Sequence, residues 1–192
     1  MAGVAIASGA PIVSWWFGQL EHLQSLSFSL KYAWLVTELS GLTEKHTKMK
    51  IFRAKVFQES IHVLMLISPD QLCTKTKITL LGESAIDAGG VTREWYTLLT
   101  TEIFSDEQGL FMVTNKDDQS FFINPNSERD HGPNHLADFQ AVGRLLGRAI
   151  IDGQVLPFHF CVPLFKMLLG YPISIEDVRY LDPTVYSSLT YI

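Results

Sequence analysis

The sequence predicts an α+β fold that is mostly α-helical: a helical lobe with a small β-hairpin and short strands. Three observations lead there. Apolar residues recur at helical spacing in three segments, 56–67, 91–104 and 135–152. Two short runs, 110–113 and 119–123, flank the turn formers Asn115-Lys116-Asp117-Asp118 and predict a hairpin. Hydrophobic residues make up 47% of the 192, enough for one domain with a sizeable core or a domain with an appended segment.

Taken in order, residues 1–14 are small and irregular. From 15 to 42, Trp16, Leu20, Leu23, Leu26, Leu30, Trp34 and Leu39 predict one or two helices with a wide apolar face. Trp15, Trp16 and Trp34 read as ordinary packing, since aromatic stripes mostly serve cores, with partner binding as the alternative. Residues 41–49 are polar and read as a linker. Val56, Phe57, Ile61, Leu64 and Met65 share one helix face, which Ser68-Pro69 ends; Ser68 caps a short turn through Leu72. Residues 77–81 read as a short strand.

A helix then starts near Gly90, with Val91, Trp95, Leu98, Leu99 and Ile103 toward the core and Thr92, Arg93, Thr97 and Thr100 facing elsewhere. Residues 124–133 form a loop. The helix over 135–152 carries Gly143 and Gly147 on one side, a spacing for tight helix packing, and Arg144 and Arg148 on a solvated face. Pro157 starts the next helix, which runs to Leu169 and ends at Gly170. Ser174 and Asp177 cap a short helix, and Asp182-Pro183 opens the last one. That helix still gathers apolar residues at Ile192, which reads as a truncated domain.

Bulk properties narrow the function. A net charge of −5 argues against an electrostatically driven nucleic-acid binder. Two cysteines do not make a disulfide framework and suit a reducing compartment, so a cytoplasmic, or also nuclear, location is expected. The first lysine is Lys31, so no basic region opens a secretory signal. Gly18, Gln19, Glu21 and His22 break the early apolar patches, and no membrane span is expected.

Charge and permissive backbone meet most tightly at residues 82–96, which join the strand to a helix and hold Glu83, Asp87, Gly89, Gly90, Arg93 and Glu94. A phosphate cradle is unsuited: it needs spaced glycines with a lysine or hydroxyl in register, and two acids here would repel the anion. Glu83 and Asp87 as general acid and base lack a companion nucleophile or oxyanion donor. A structural junction held by ion pairs accounts for all of these residues. Elsewhere, His131 and His135 have a helical metal-ligand spacing, but Gly132-Pro133 separates them and no third ligand is near, so no metal is expected. His159 and Cys161 point to different faces and make a poor dyad. Cys161 sits among apolar residues as a buried thiol; Cys73, near Lys75 and Lys77, is more exposed but has no flanking histidine.

The run Leu81-Gly82-Glu83 with Asp87-Ala88-Gly89-Gly90-Val91-Thr92-Arg93-Glu94-Trp95-Tyr96 resembles the signature in the amino-terminal lobe of HECT-type ubiquitin ligases. Further matches follow in the family's order: Gly109-Leu110-Phe111, Ile123-Asn124-Pro125-Asn126-Ser127, Phe139 with Gly143-Arg144-Leu145-Leu146-Gly147, Phe165-Lys166-Met167-Leu168-Leu169-Gly170, and Asp177 with Asp182-Pro183 and Tyr186-Ser187-Ser188-Leu189. The resemblance covers roughly residues 52–192. It implies a partial HECT domain over 51–192, the large subdomain of the amino-terminal lobe, preceded by a helical extension over 1–50.

What the resemblance implies about function is a transferase that takes ubiquitin from a conjugating enzyme onto a cysteine and passes it to substrate lysines. The partners are then a ubiquitin-conjugating enzyme, ubiquitin and protein substrates, with no cofactor. In the family the cysteine lies in a separate carboxy-terminal lobe, which neither Cys73 nor Cys161 matches, so this chain is expected to be inactive alone. The alternative is a noncatalytic interaction or scaffold module that keeps the lobe. Tyr186, Leu189 and Ile192 are expected to reach the edge of the conjugating-enzyme docking patch. Asn126 matches a position used by family members that bind a second ubiquitin, whereas Gln108 and Asp138 stand where those members carry aromatics.

Overall fold

The computed structural model describes residues 14–40, 46–83, 89–115 and 119–191. Asp87, Ile192, the first thirteen residues and 116–118 of the expected hairpin turn lie outside them. Two helices open the chain, α1 (Ser14–Ser25) and α2 (Phe28–Ser40). On α2, Phe28 and Tyr32 are 79% and 55% exposed and Trp34 is 37% exposed; the side chains of Trp15 and Trp16 lie outside the described residues.

Of the polar linker expected at 41–49, residues 41–45 lie outside the described ones and the rest belongs to a strand. In β1 (His46–Ile51), Thr47, Met49 and Ile51 are buried while His46, Lys48 and Lys50 are exposed. This is strict period-two alternation, masked in sequence because an inward residue is threonine and two outward ones are lysines. After α3 (Val56–Leu66) and the short α4 (Pro69–Leu72), β2 (Lys75–Leu80) returns parallel to β1, from His46 opposite Lys75 to Ile51 opposite Leu80. A parallel pair needs a crossover, and α3 with α4 supplies it. Ser68 and Gln71 form the capping box that starts α4, with Pro69 at its first turn.

Next comes α5 (Gly90–Ile103), in which Trp95, Leu99 and Ile103 are fully buried. Thr92 and Thr100, expected to face elsewhere, are also buried. Their hydroxyls are satisfied locally: Thr100 donates to the Tyr96 carbonyl at 2.7 Å, and Thr92 Oγ1 accepts from the Ile78 amide of β2 at 3.3 Å. The hairpin β3 (Phe111–Asn115) and β4 (Ser120–Ile123) is antiparallel, as expected. The loop expected at 124–133 contains one helical turn, α6 (Ser127–Asp130), and α7 (His135–Asp152) has the expected ends.

The helix expected from Pro157 begins later. Residues 159–160 form β5 (His159–Phe160), parallel to β4, so the sheet order is β3-β4-β5. Cys161 is the N-cap of α8 (Val162–Leu168). Aromatic packing explains the extended backbone. Phe158 and Phe160 lie 3.9 and 5.8 Å from the Phe104 ring, which also meets Phe111 at 4.6 Å and Phe121 at 4.7 Å. Residues two apart share a face only in a strand. A 3₁₀ turn over Ile175–Tyr180 and α9 (Pro183–Thr190) complete the described chain, α9 being capped by Asp182 through the Thr184 and Val185 amides.

Two features of α7 correct the sequence reading. A Cβ added at Gly143 or Gly147 would meet nothing within 4 Å, so the expected close helix approach is not made among the described residues. Arg144 and Arg148 do not form a solvated face. Arg144 donates to the carbonyls of Leu64, Met65 and Ile67 at 2.8–3.1 Å, closing the end of α3. Arg148, 1% exposed, donates to the Gln71 and Thr74 carbonyls and twice to Thr76 Oγ1, at 2.7 and 3.0 Å.

Carbonyls at the end of a helix lack intrahelical partners, and a buried guanidinium can satisfy several at once. Its helical position shows why it is inside: Ala141, Leu145, Arg148 and Ala149 form one i, i+4, i+7, i+8 stripe, all buried. Between the end of α7 and α2 lies a cavity of about 400 Å³ bordered by Tyr32, Leu35, Leu39 and Ile150.

Arg148→Met keeps most of the side-chain volume but strands those acceptors. We expect a loss of about 3 kcal/mol in urea unfolding, the scale for breaking a buried hydrogen-bonded charge site. An unchanged midpoint would show that the acceptors find other partners.

Candidate functional site

The junction between β2 and α5 is built on glycine geometry. Gly89, the N-cap of α5, has φ +98°, a conformation that strains any side chain. Glu83 and Glu94 stand on either side of the junction and are joined by one cation, Arg53. Its Nε and Nη2 hold the Glu83 carboxylate at 2.7 and 2.9 Å, and its Nη1 holds Glu94 at 2.7 Å. These bonds raise the Arg53 pKa and lower that of Glu83. The cation between the two acids is therefore not Arg93, which is exposed on α5. Arg53 lies 30 and 41 residues from its partners, a pairing that local pattern does not reveal.

Two residues beyond Glu94 on α5, Tyr96 donates to Asp152 Oδ2 at 2.6 Å, and the Thr76 amide donates to Asp152 Oδ1 at 2.8 Å. Burial first, then the Asp152 charge, raises the Tyr96 pKa, keeping the phenol a proton donor. This cluster ties α5, β2 and α7 together. A nucleophile is not part of it.

Asn126 borders an open groove of about 930 Å³ between the β3 edge and the end of α5. The Asn126 amide donates to Asn124 Oδ1 at 2.9 Å, while Asn124 Nδ2 reaches the Gly109 carbonyl at 2.8 Å and Asp130 at 2.9 Å. Gly109 has φ +63°, and a Cβ there would come within 2.9 Å of the Asp130 Cβ, so glycine allows the close approach. Gln108 and Asp138 meet on His131: the ring bonds the Gln108 carbonyl through Nδ1 and the Asp138 carboxylate through Nε2, both at 2.6 Å. His135 bonds Ser127 instead, and among the described residues no three metal-ligating side chains converge.

The two thiols lie apart from these sites. Cys161 is buried, with its amide donating to the Phe121 carbonyl at 2.9 Å; Cys73 is exposed after α4. Among the described residues, no helix is long and apolar enough to cross a membrane.

The model of the HECT domain, described as a ubiquitin-transferase, matches residues 97–192, half of the chain. The chain belongs to the HECT family. It is 36% identical over 176 residues to the E3 ubiquitin-protein ligase TOM1 of Saccharomyces cerevisiae, covering 90% of this chain and 5% of that protein. To the E3 ubiquitin-protein ligase Smurf1 of Drosophila melanogaster it is 34% identical over 160 residues, 82% of this chain and 15% of the relative. A third relative, the E3 ubiquitin-protein ligase UPL2 of Arabidopsis thaliana, is 33% identical over 177 residues, 90% and 5% respectively. The chain thus spans only 5% to 15% of the length of these relatives.

Within the HECT match, Tyr186 and Leu189 lie on α9. Tyr186 donates to Glu176 at 2.6 Å, tying α9 to the 3₁₀ turn, and Leu189 is 44% exposed. The turn is anchored by Asp177, which accepts from Lys166 of α8 at 2.7 and 2.9 Å and from the Ser174 amide at 2.8 Å. The Lys166 bond, then the Ser174 amide, lowers the Asp177 pKa. A carboxylate with a depressed folded pKa stabilises above its unfolded value, about 4, and loses that stabilisation as pH falls through the lower folded value. Acid titration from pH 5 to pH 2 is therefore expected to release the turn and α9, read from amide exchange, and Asp177→Asn to remove that acid step. An unchanged acid limb in the variant would disprove the anchor.

Proposed function

We propose that this chain is part of a HECT-type ubiquitin-protein ligase, which takes ubiquitin from a conjugating enzyme and transfers it to substrate lysines in a cytoplasmic, or also nuclear, setting. The observation that carries this reading is the 34–36% identity, over 82–90% of the chain, to proteins named as E3 ubiquitin ligases. The chemistry would run through a cysteine thiolate that attacks the ubiquitin thioester carbonyl and expels the conjugating enzyme's thiolate; a substrate amine then attacks the new thioester and expels the ligase cysteine.

Neither thiol of this chain suits that step. Cys161 is enclosed at the start of α8, and Cys73, exposed after α4, has no flanking histidine to act as its base. In this proposal the described residues form the scaffold: Glu83, Glu94 and Gly89-Gly90 shape the junction, with Asp87 and Arg93 as further signature positions. Asn126 would contact ubiquitin, and Tyr186, Leu189 and Ile192 would edge the conjugating-enzyme patch.

The test combines the 192-residue chain with ubiquitin, activating enzyme, conjugating enzyme and ATP. No reducible ubiquitin adduct should form on the chain, while the conjugating enzyme should bind, and Leu189→Asp should weaken binding about tenfold. A reducible adduct lost on Cys73→Ala would overturn the assignment of the thiols. Equal binding by the Leu189→Asp variant would remove α9 from the docking edge.

A further inference from the structure

The outer face of the β1–β2 sheet concentrates positive charge. Alternation along the two strands buries every second residue against the helices and leaves His46, Lys48, Lys50, Lys75, Lys77 and Thr79 outward and exposed. The parallel register sets them side by side: His46 opposite Lys75, Lys48 opposite Lys77, and Lys50 opposite Thr79. The lysines are thus spaced at about 4.8 Å across the pair and about 6.6 Å along each strand. Like charges directly opposite one another destabilise a sheet, so Lys48 beside Lys77 is a local cost of this fold.

Among the described residues, none of these lysines is in an ion pair. Asp152 shares a cavity of about 220 Å³ with Lys75 and Lys77, but Tyr96 and the Thr76 amide already hold its carboxylate. The stretches 41–45 and 84–88, outside the described residues, bring two acids, Glu44 and Asp87, and one more cation, Lys45. Set against Lys48, Lys50, Lys75 and Lys77, they leave the face positive wherever they fall. The chain as a whole carries a net charge of −5.

Nucleic acid is poorly matched to this face. Sites for it favour arginine and interleave aromatic rings with the cations, whereas β1 and β2 contain no arginine, phenylalanine, tyrosine or tryptophan. Lipid headgroups move laterally and need no fixed spacing. A repeat of about 6.6 Å is what an extended chain with an acid at every second residue presents.

We propose that the outer face of β1–β2 binds an extended acidic segment of a partner protein, with carboxylates at alternate residues lying between the two rows of lysines. The lysines fall within one Debye length of each other, about 10 Å at 0.1 M salt, so the patch acts on a nearby anion despite the opposite charge of the whole chain. Exposed ion pairs are individually weak, so selectivity comes from several forming together in register. The surface adds a binding role to the ligase reading and does not rest on it: the peptide can fail to bind while the thioester assays hold, and the reverse.

The test titrates the isotopically labelled 192-residue chain, at low salt, with capped seven-residue peptides of four threonines and three glutamates. With glutamate at every second residue, a dissociation constant below about 1 mM is expected, with the largest amide shifts in residues 46–50 and 75–79. With the same glutamates at every third residue, successive carboxylates fall on opposite sides of the strand, and binding should be at least about threefold weaker. Combining Lys48→Gln with Lys77→Gln should weaken the first peptide about tenfold while the unfolding midpoint stays level or rises, since a like-charge pair is removed. Raising salt from about 20 to about 200 mM should weaken it about fivefold.

Equal binding of the two peptides would overturn the proposal, as would wild-type affinity in the double variant or no binding at millimolar peptide. Tighter binding of a thymidine oligonucleotide, or of phosphatidylcholine vesicles containing about one-third phosphatidylserine, lost in the same double variant, would also overturn it by assigning the face to nucleic acid or to lipid.

Discussion

A guanidinium with 1% exposure sets the register of this lobe. Arginine stays ionised in proteins, so Arg148 can be buried only where acceptors already converge on it. They do: the Gln71 and Thr74 carbonyls leave the end of α4 and Thr76 opens β2. Thr76 continues the chain through its amide to Asp152, one turn further along α7, and Asp152 in turn accepts from Tyr96 of α5. Rotating α7 by one residue, about 100°, would carry both Arg148 and Asp152 away from β2. The position of β2 then decides where the chain must turn into α5, and hence where Arg53 finds Glu83 and Glu94 together.

Much of this was legible in sequence where the signal is local. The ends of α7, the capping box at Ser68, the Asp182 cap of α9 and the hairpin each follow from residues within one or two turns of one another. The misreadings share a different cause. β1 looked like a linker because Thr47 occupies an inward position and lysines the outward ones, so composition concealed a period that burial shows plainly. Pro157 looked like a helix start, yet Phe158 and Phe160 are drawn to the Phe104 cluster and need an extended backbone to reach it. Arg144 and Arg148 were placed in solvent because charge usually lies there. Their acceptors, about 72 to 80 residues earlier, are joined to them only by the fold.

The junction at Gly89 was legible as a junction but not as a geometry. Three carboxylates, Glu83, Asp87 and Glu94, and two glycines marked it, with Arg93 as the cation of the same stretch. The structure draws it from Arg53, just after β1. An exposed network of this kind contributes little stability by itself. Its value is positional: a single planar fork reaching both carboxylates fixes the spacing between the end of β2 and the second turn of α5 more closely than separate ion pairs would.

The same reasoning separates two kinds of surface around the groove. On one wall Asn124 holds Gly109 and Asp130, and behind it His131 holds the Gln108 carbonyl and the Asp138 carboxylate, so the polar groups there are consumed internally. Through these two contacts His131 clamps the α5–β3 turn to α7. Such a wall is preorganised and offers a ligand shape more than new hydrogen bonds. The β3 edge differs: there Phe111 and Val113 turn their backbone groups away from β4.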